Sequence, residues 1–145
     1  MQSQLLHEAH GERTFALILE TGEEIMAALK SFAAKEGLTA AQITGIGAFS
    51  GLVLQYFDWD KKDYEAIPVG EQVEVASLIG DIAQSEDGPA LHVHLVVGRR
   101  DGTALAGHLA EGHVRPTLEL VIRELPAHLR RTHDPESGLA LIRPQ

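Results

Sequence analysis

Only one stretch of this chain, Glu23 to Glu36, repeats its apolar residues at helical spacing. On either side of it the apolar residues come in short runs or alternate with polar ones. A chain built this way must bury its single helical stripe against a sheet. The stripe consists of Ile25, Leu29 and Phe32, widened by Met26 and Ala33. Thr21 and Glu24 stand at capping-box spacing ahead of it, and Gly37 is a natural stop.

The rest reads as strands and turns. Thr14 to Glu20 precedes the helix; Gln42 to Phe49 and Leu52 to Phe57 follow it, with Gly51 breaking them apart. Asp58 to Asp63 is a polar turn into a strand from Tyr64 to Pro68. Gln72 to Ile82 and Leu91 to Val97 flank a turn cluster at Gln84 to Pro89. Asp101-Gly102 is a hairpin signal that pairs Leu91–Val97 with Thr103–Leu109. Val114 to Glu124 is a further strand, which tolerates Pro116 only near its start or at an edge. From Pro126 onward charge and turn residues increase, and Leu139 to Ile142 can return to the sheet as a short edge strand. The expected fold is α+β: a mainly antiparallel sheet packed with one principal helix. At 145 residues the chain suits one domain, 1–145, with a core from about residue 14 to 125 and peripheral ends.

Charge and composition narrow the function. Lys and Arg number 12 against 21 acidic residues, a formal charge of −9. The basic residues cluster only as pairs, Lys61-Lys62, Arg99-Arg100 and Arg130-Arg131. Direct duplex binding needs a local cationic excess, so it is not expected. Cysteine is absent, so any metal must be held by His, Asp or Glu, and a reducing, cytoplasmic setting is expected. Met1 to Arg13 is polar and predicts no signal peptide; no apolar run nears the ~20 residues that span a bilayer. Gly45, Gly47 and Gly51 precede a strand rather than a helix, so they predict a bulge or close backbone approach, not a nucleotide loop.

The sharpest chemical feature is Leu91-His92-Val93-His94-Leu95. On a strand His92 and His94 share one face, opposite Leu91, Val93 and Leu95, and can reach one cation. The hairpin places their cross-strand partners near residues 106 to 108, which brings in His108, with Gly107 leaving room. The plainer alternative is a polar face satisfied by hydrogen bonds or water. His113 is next in line; His7, His10, His128 and His133 fall in terminal regions and are expected to be solvated. Glu111 is the nearest acidic residue that can complete a shell or act as a base, or else it is a surface carboxylate. Nucleophiles are weakly supported: Ser50 lacks the elbow pattern, Ser77 lies within a strand, and Asp81 with a distant histidine makes no triad. A cupin also uses His-x-His, but Gly98, Arg99 and Arg100 stand where its carboxylate would be expected.

Several pieces, in order, resemble the plants and prokaryotes conserved (PPC) family. They are Gln42-Ile43-Thr44-Gly45-Ile46-Gly47-Ala48-Phe49-Ser50-Gly51, Glu74-Val75-Ala76-Ser77-Leu78-Ile79-Gly80-Asp81-Ile82, Leu91-His92-Val93-His94, and Gly107-His108-Leu109-Ala110-Glu111-Gly112. The resemblance runs from about Phe15 to Leu125. It implies a PPC-like fold, a homotrimer, and, from prokaryotic members with a histidine cluster suited to zinc, a metal at His92, His94 and His108. Stand-alone prokaryotic members are often labelled DNA-binding by inference. In plants the domain follows an AT-hook and carries a Gly-Arg-Phe-Glu-Ile partner-contact stretch. This chain has no AT-hook peptide, and Glu71-Gln72-Val73-Glu74-Val75 lacks the arginine and the aromatic. The expectation is therefore a trimeric, cytoplasmic domain binding a divalent metal, zinc, through three histidines. The alternatives are a transcription-linked DNA-binding or protein-interaction module without metal, and a metal-dependent hydrolase or lyase using Glu111.

Overall fold

The helix forms where the apolar stripe predicts it, with a different cap. In the structure, a computed structural model that describes residues 1–125 and 128–143, α1 spans Ile25–Glu36. Glu24 is its N-cap: the carboxylate accepts hydrogen bonds from the Met26 and Ala27 backbone N–H at 3.0 and 2.7 Å. The expected pairing of Thr21 with Glu24 is thus replaced by Glu24 acting alone. Gly37 ends the helix in the left-handed region, at φ 67°.

The strands are β1 (Gln2–Ala9), β2 (Glu12–Glu20), β3 (Ala40–Asp58), β4 (Asp63–Val69), β5 (Val73–Ser85), β6 (Gly88–Gly98), β7 (Ala104–Glu124), β8 (Arg131–His133) and β9 (Ala140–Ile142). The first seven form one antiparallel sheet in the order β1-β2-β7-β6-β5-β3-β4. Because β3 also pairs with β7, strands β3, β5, β6 and β7 close into a ring. Inward-facing residues of this ring, among them Leu54, Val93, Leu95 and Leu109, join Ile25, Leu29 and Phe32 of α1 in one core. Burying each such side chain contributes about 1.5–3 kcal/mol. Among the described residues no helix is long and apolar enough to cross a membrane.

Four sequence expectations need correction. Residues 2–9 form a strand that the sequence does not announce, since β1 is exposed along almost its whole length and has no apolar face to detect. Gly51 does not break β3: it pairs with His113 inside one 19-residue strand. The two strands expected at 103–109 and 114–124 are a single 21-residue strand, β7. Pro116 sits in its interior, where the register with β3 jumps from Phe49–Val114 to Gly47–Leu118 and leaves Arg115 and Pro116 without ladder partners. That gap is what a proline, lacking an N–H, requires. Finally, β9 pairs with β8 in a separate two-stranded sheet and does not rejoin the main one. Pro126, where the charged tail was expected to begin, lies outside the described residues.

Candidate metal centre

The alternation of β6 decides where its histidines point. Val93 and Leu95 are fully or nearly fully buried, so His92 and His94 face outward, away from the core. Across the hairpin His94 pairs directly with His108. Directly opposed residues of an antiparallel pair project to the same face. The three imidazoles therefore converge, and each can offer a ligand atom within 4.8 Å of the others. The Nε2 atoms of His92 and His94 are 3.0 Å apart. The ring centroids of His92 and His108 are 5.2 Å apart, and those of His94 and His108 are 5.3 Å apart. Nitrogens sharing a tetrahedral zinc at 2.0–2.1 Å stand about 3.3 Å from one another. The observed separations bracket that value, so small ring movements suffice.

Neighbours hold the rings in place. Asp81 is the cross-strand partner of His92, and its Oδ2 lies 3.9 Å from His92 Nδ1. That is too long for a hydrogen bond, but it sets a negative charge behind the ring, opposite the nitrogen that meets His94. Tyr64 stacks on His108 with centroids 4.9 Å apart and planes at 28°. His108 Nδ1 is buried and has no hydrogen-bond partner among the described residues. A buried polar nitrogen left unpaired is costly unless something else satisfies it. Three imidazoles, an orphaned nitrogen and a carboxylate behind one ring together make a donor set that fits zinc or a similar divalent ion.

Burial pushes the His108 pKa down to about 4, with His92, His94 and Arg131 adding repulsion. His92 is lowered as well, by burial first and then by Arg131 and His94. Both rings are thus neutral near pH 7, the form that binds metal. In the metal-free protein the His108 ring binds fewer protons than in the unfolded chain between pH 6.5 and about 4. Stability therefore falls as pH drops through that window. Urea midpoints should decline more steeply for the wild type than for His108→Gln; equal slopes would contradict the assignment.

The other sequence candidates lie apart from the trio. Glu111 is exposed, and its carboxylate bonds His113 Nε2 at 3.0 Å. His7, His10, His128 and His133 are exposed, and His128 Nδ1 lies 2.7 Å from the Thr39 hydroxyl. Sequence reasoning missed Asp81, Tyr64 and Arg131 as neighbours of the histidines. Pairing β5 with β6 across the Gln84–Pro89 turn would have exposed Asp81. Arg131 carries no such signal, because it arrives from the C-terminal hairpin.

The fold and site define a small α+β, mainly antiparallel domain with a three-imidazole cluster on the outer face of its sheet. The profile of the Plants and Prokaryotes Conserved (PCC) domain matches residues 6–126, and the chain belongs to that family. Among solved structures it is similar to a PPC protein from Pyrococcus horikoshii, with 34% identity, 92% of each chain covered and a TM-score of 0.85. A metal-containing protein from Archaeoglobus fulgidus is 30% identical over 90% of this chain and 93% of its own, with a TM-score of 0.84. A protein from Bacteroides thetaiotaomicron, named as a candidate DNA-binding protein, is 31% identical over 94% of each chain, with a TM-score of 0.85. No curated protein matches the sequence.

Proposed function

We propose that this chain binds a divalent metal, zinc, through His92, His94 and His108, and that it works as a homotrimer in the cytoplasm. The convergence of three imidazoles, with ligand atoms within 4.8 Å of one another, carries the reading. The similar Archaeoglobus fulgidus protein, named as metal-containing, supports it. An ion held there supplies a fixed positive charge able to polarise an oxygen ligand. Glu111 has the weaker claim to a role as base, since its carboxylate is engaged with His113. The test is elemental analysis of protein purified without an affinity tag. About one metal per chain is expected; less than about a tenth would count against a three-ligand centre.

The homotrimer reading is supported by the outer face of the sheet. Ile46, Ile79 and Val121 are 59%, 58% and 44% exposed there, beside a cavity of about 530 Å³. An apolar patch of this kind suits contact with further copies of the chain. Replacing Ile79 by glutamate should yield monomers in light scattering where the wild type gives trimers. A wild-type monomer, or an unchanged Ile79→Glu trimer, would overturn the reading.

The relative named as a candidate DNA-binding protein favours a second reading, a transcription-linked module. The charge of −9 opposes direct duplex contact. A salt titration on random duplex DNA is expected to show no tight binding; tight binding with a steep negative salt slope would favour the second reading.

A further inference from the structure

The C-terminal hairpin does more than close the chain. Its β8 brings Arg131 alongside the histidine cluster, and its β9 forms the wall of a cavity of about 240 Å³. That cavity is lined by His92, His108, Tyr64 and Arg131. Its remaining walls are apolar, chiefly Leu91, Leu139 and Leu141. The Arg131 side chain is only 9% exposed. Its Nη1 donates to the Ala140 carbonyl at 3.0 Å and its Nη2 to Asp81 Oδ1 at 2.8 Å. Its Nε–H is buried and has no partner among the described residues.

We propose that this pocket binds a small carboxylate with an apolar tail, the carboxylate seated between the Arg131 guanidinium and the histidine cluster. The inference rests on the metal reading, because the ion's charge is what leaves the site net positive. Arg131 and Asp81 otherwise cancel. A guanidinium that lines the cavity and keeps Nη hydrogens beyond those given to Ala140 and Asp81 is matched in charge to a carboxylate. A phosphate is the poorer occupant: it carries more charge and more acceptor oxygens than one arginine already paired with Asp81 can serve. The leucines suit a short hydrocarbon tail, and the volume lies below that of drug-sized sites, so the ligand has few heavy atoms.

Two separate readouts test the idea on the full chain. Uptake of cobalt(II), counted per chain, reports the metal site. The visible absorption of the bound cobalt reports what enters beside it. Butyrate should perturb the bands saturably, at concentrations about tenfold or more below those needed for butyramide or inorganic phosphate. Arg131→Gln should lose that advantage with cobalt stoichiometry unchanged, an outcome that a purely structural role for Arg131 would not give. If cobalt binds yet butyrate and butyramide act alike, phosphate is preferred, or Arg131→Gln matches the wild type, the carboxylate proposal fails while the metal reading stands. If cobalt is not taken up, both fail. Should Arg131→Gln not fold, the wild-type comparison of butyrate with butyramide decides.

Discussion

Replacing His108 by alanine should remove stoichiometric metal while leaving the fold in place. Of the three imidazoles, His108 alone comes from β7, and without it only the two neighbouring rings of β6 remain. Two imidazoles fall short of the three protein ligands that even an open zinc site uses. Metal content should drop from about one per chain to below about a tenth. Thermal stability gives an independent readout. At zinc a hundredfold above its dissociation constant the wild type gains about 2.7 kcal/mol, and His108→Ala gains almost none. The metal-free fold should tolerate the change, since His108 faces outward and its ring packs on Tyr64 rather than in the core. Its neighbour Leu109 is fully buried, so Leu109→Ala should instead cost about 2–5 kcal/mol whether or not metal is present. A His108→Ala protein that keeps a full metal complement would contradict the ligand assignment.

Replacing Gly47 by alanine should destabilise the protein severely. Gly47 has φ +152°, which L side chains rarely adopt, and an added Cβ would stand 2.4 Å from the Thr117 carbonyl oxygen and 2.7 Å from the Leu118 Cα. These are backbone atoms of β7, which cannot swing aside. Backbone strain and overpacking each cost about 1–3 kcal/mol, so a loss of about 3 kcal/mol or more is expected. That is a large part of the ~5–15 kcal/mol typical of a domain. The expected result is a much lower urea midpoint or loss of folded protein. Gly70→Ala is the control: nothing lies within 4 Å of its added Cβ, and its effect should stay within about 0.5 kcal/mol. A Gly47→Ala variant as stable as Gly70→Ala would show that β3 and β7 need not approach so closely.

The same glycine shows how much of the fold was legible in the sequence. Gly45 and Gly47 read as residues for a bulge or close approach, and the register of β3 against β5 shifts between them. The helix was legible because Ile25, Leu29 and Phe32 must share one buried stripe. The convergence of His94 and His108 could be anticipated because an Asp-Gly turn fixes hairpin register within narrow limits. What escaped had no local signature. β1 buries almost nothing, so no pattern marks it. The continuity of β7 through Pro116 depends on a ladder gap created by β3, which is distant in sequence. Arg131 reaches the site only because a two-stranded hairpin folds back beside Asp81, and a lone charged pair in a polar tail does not reveal that.

X-ray absorption at the zinc edge of zinc-loaded, untagged protein tests the central claim most directly. The account predicts three imidazole nitrogens at about 2.0–2.1 Å, completed by one oxygen ligand. A spectrum with fewer than three imidazoles, or one that His94→Ala leaves unaltered, would mean that the histidine face of this sheet does not hold the ion.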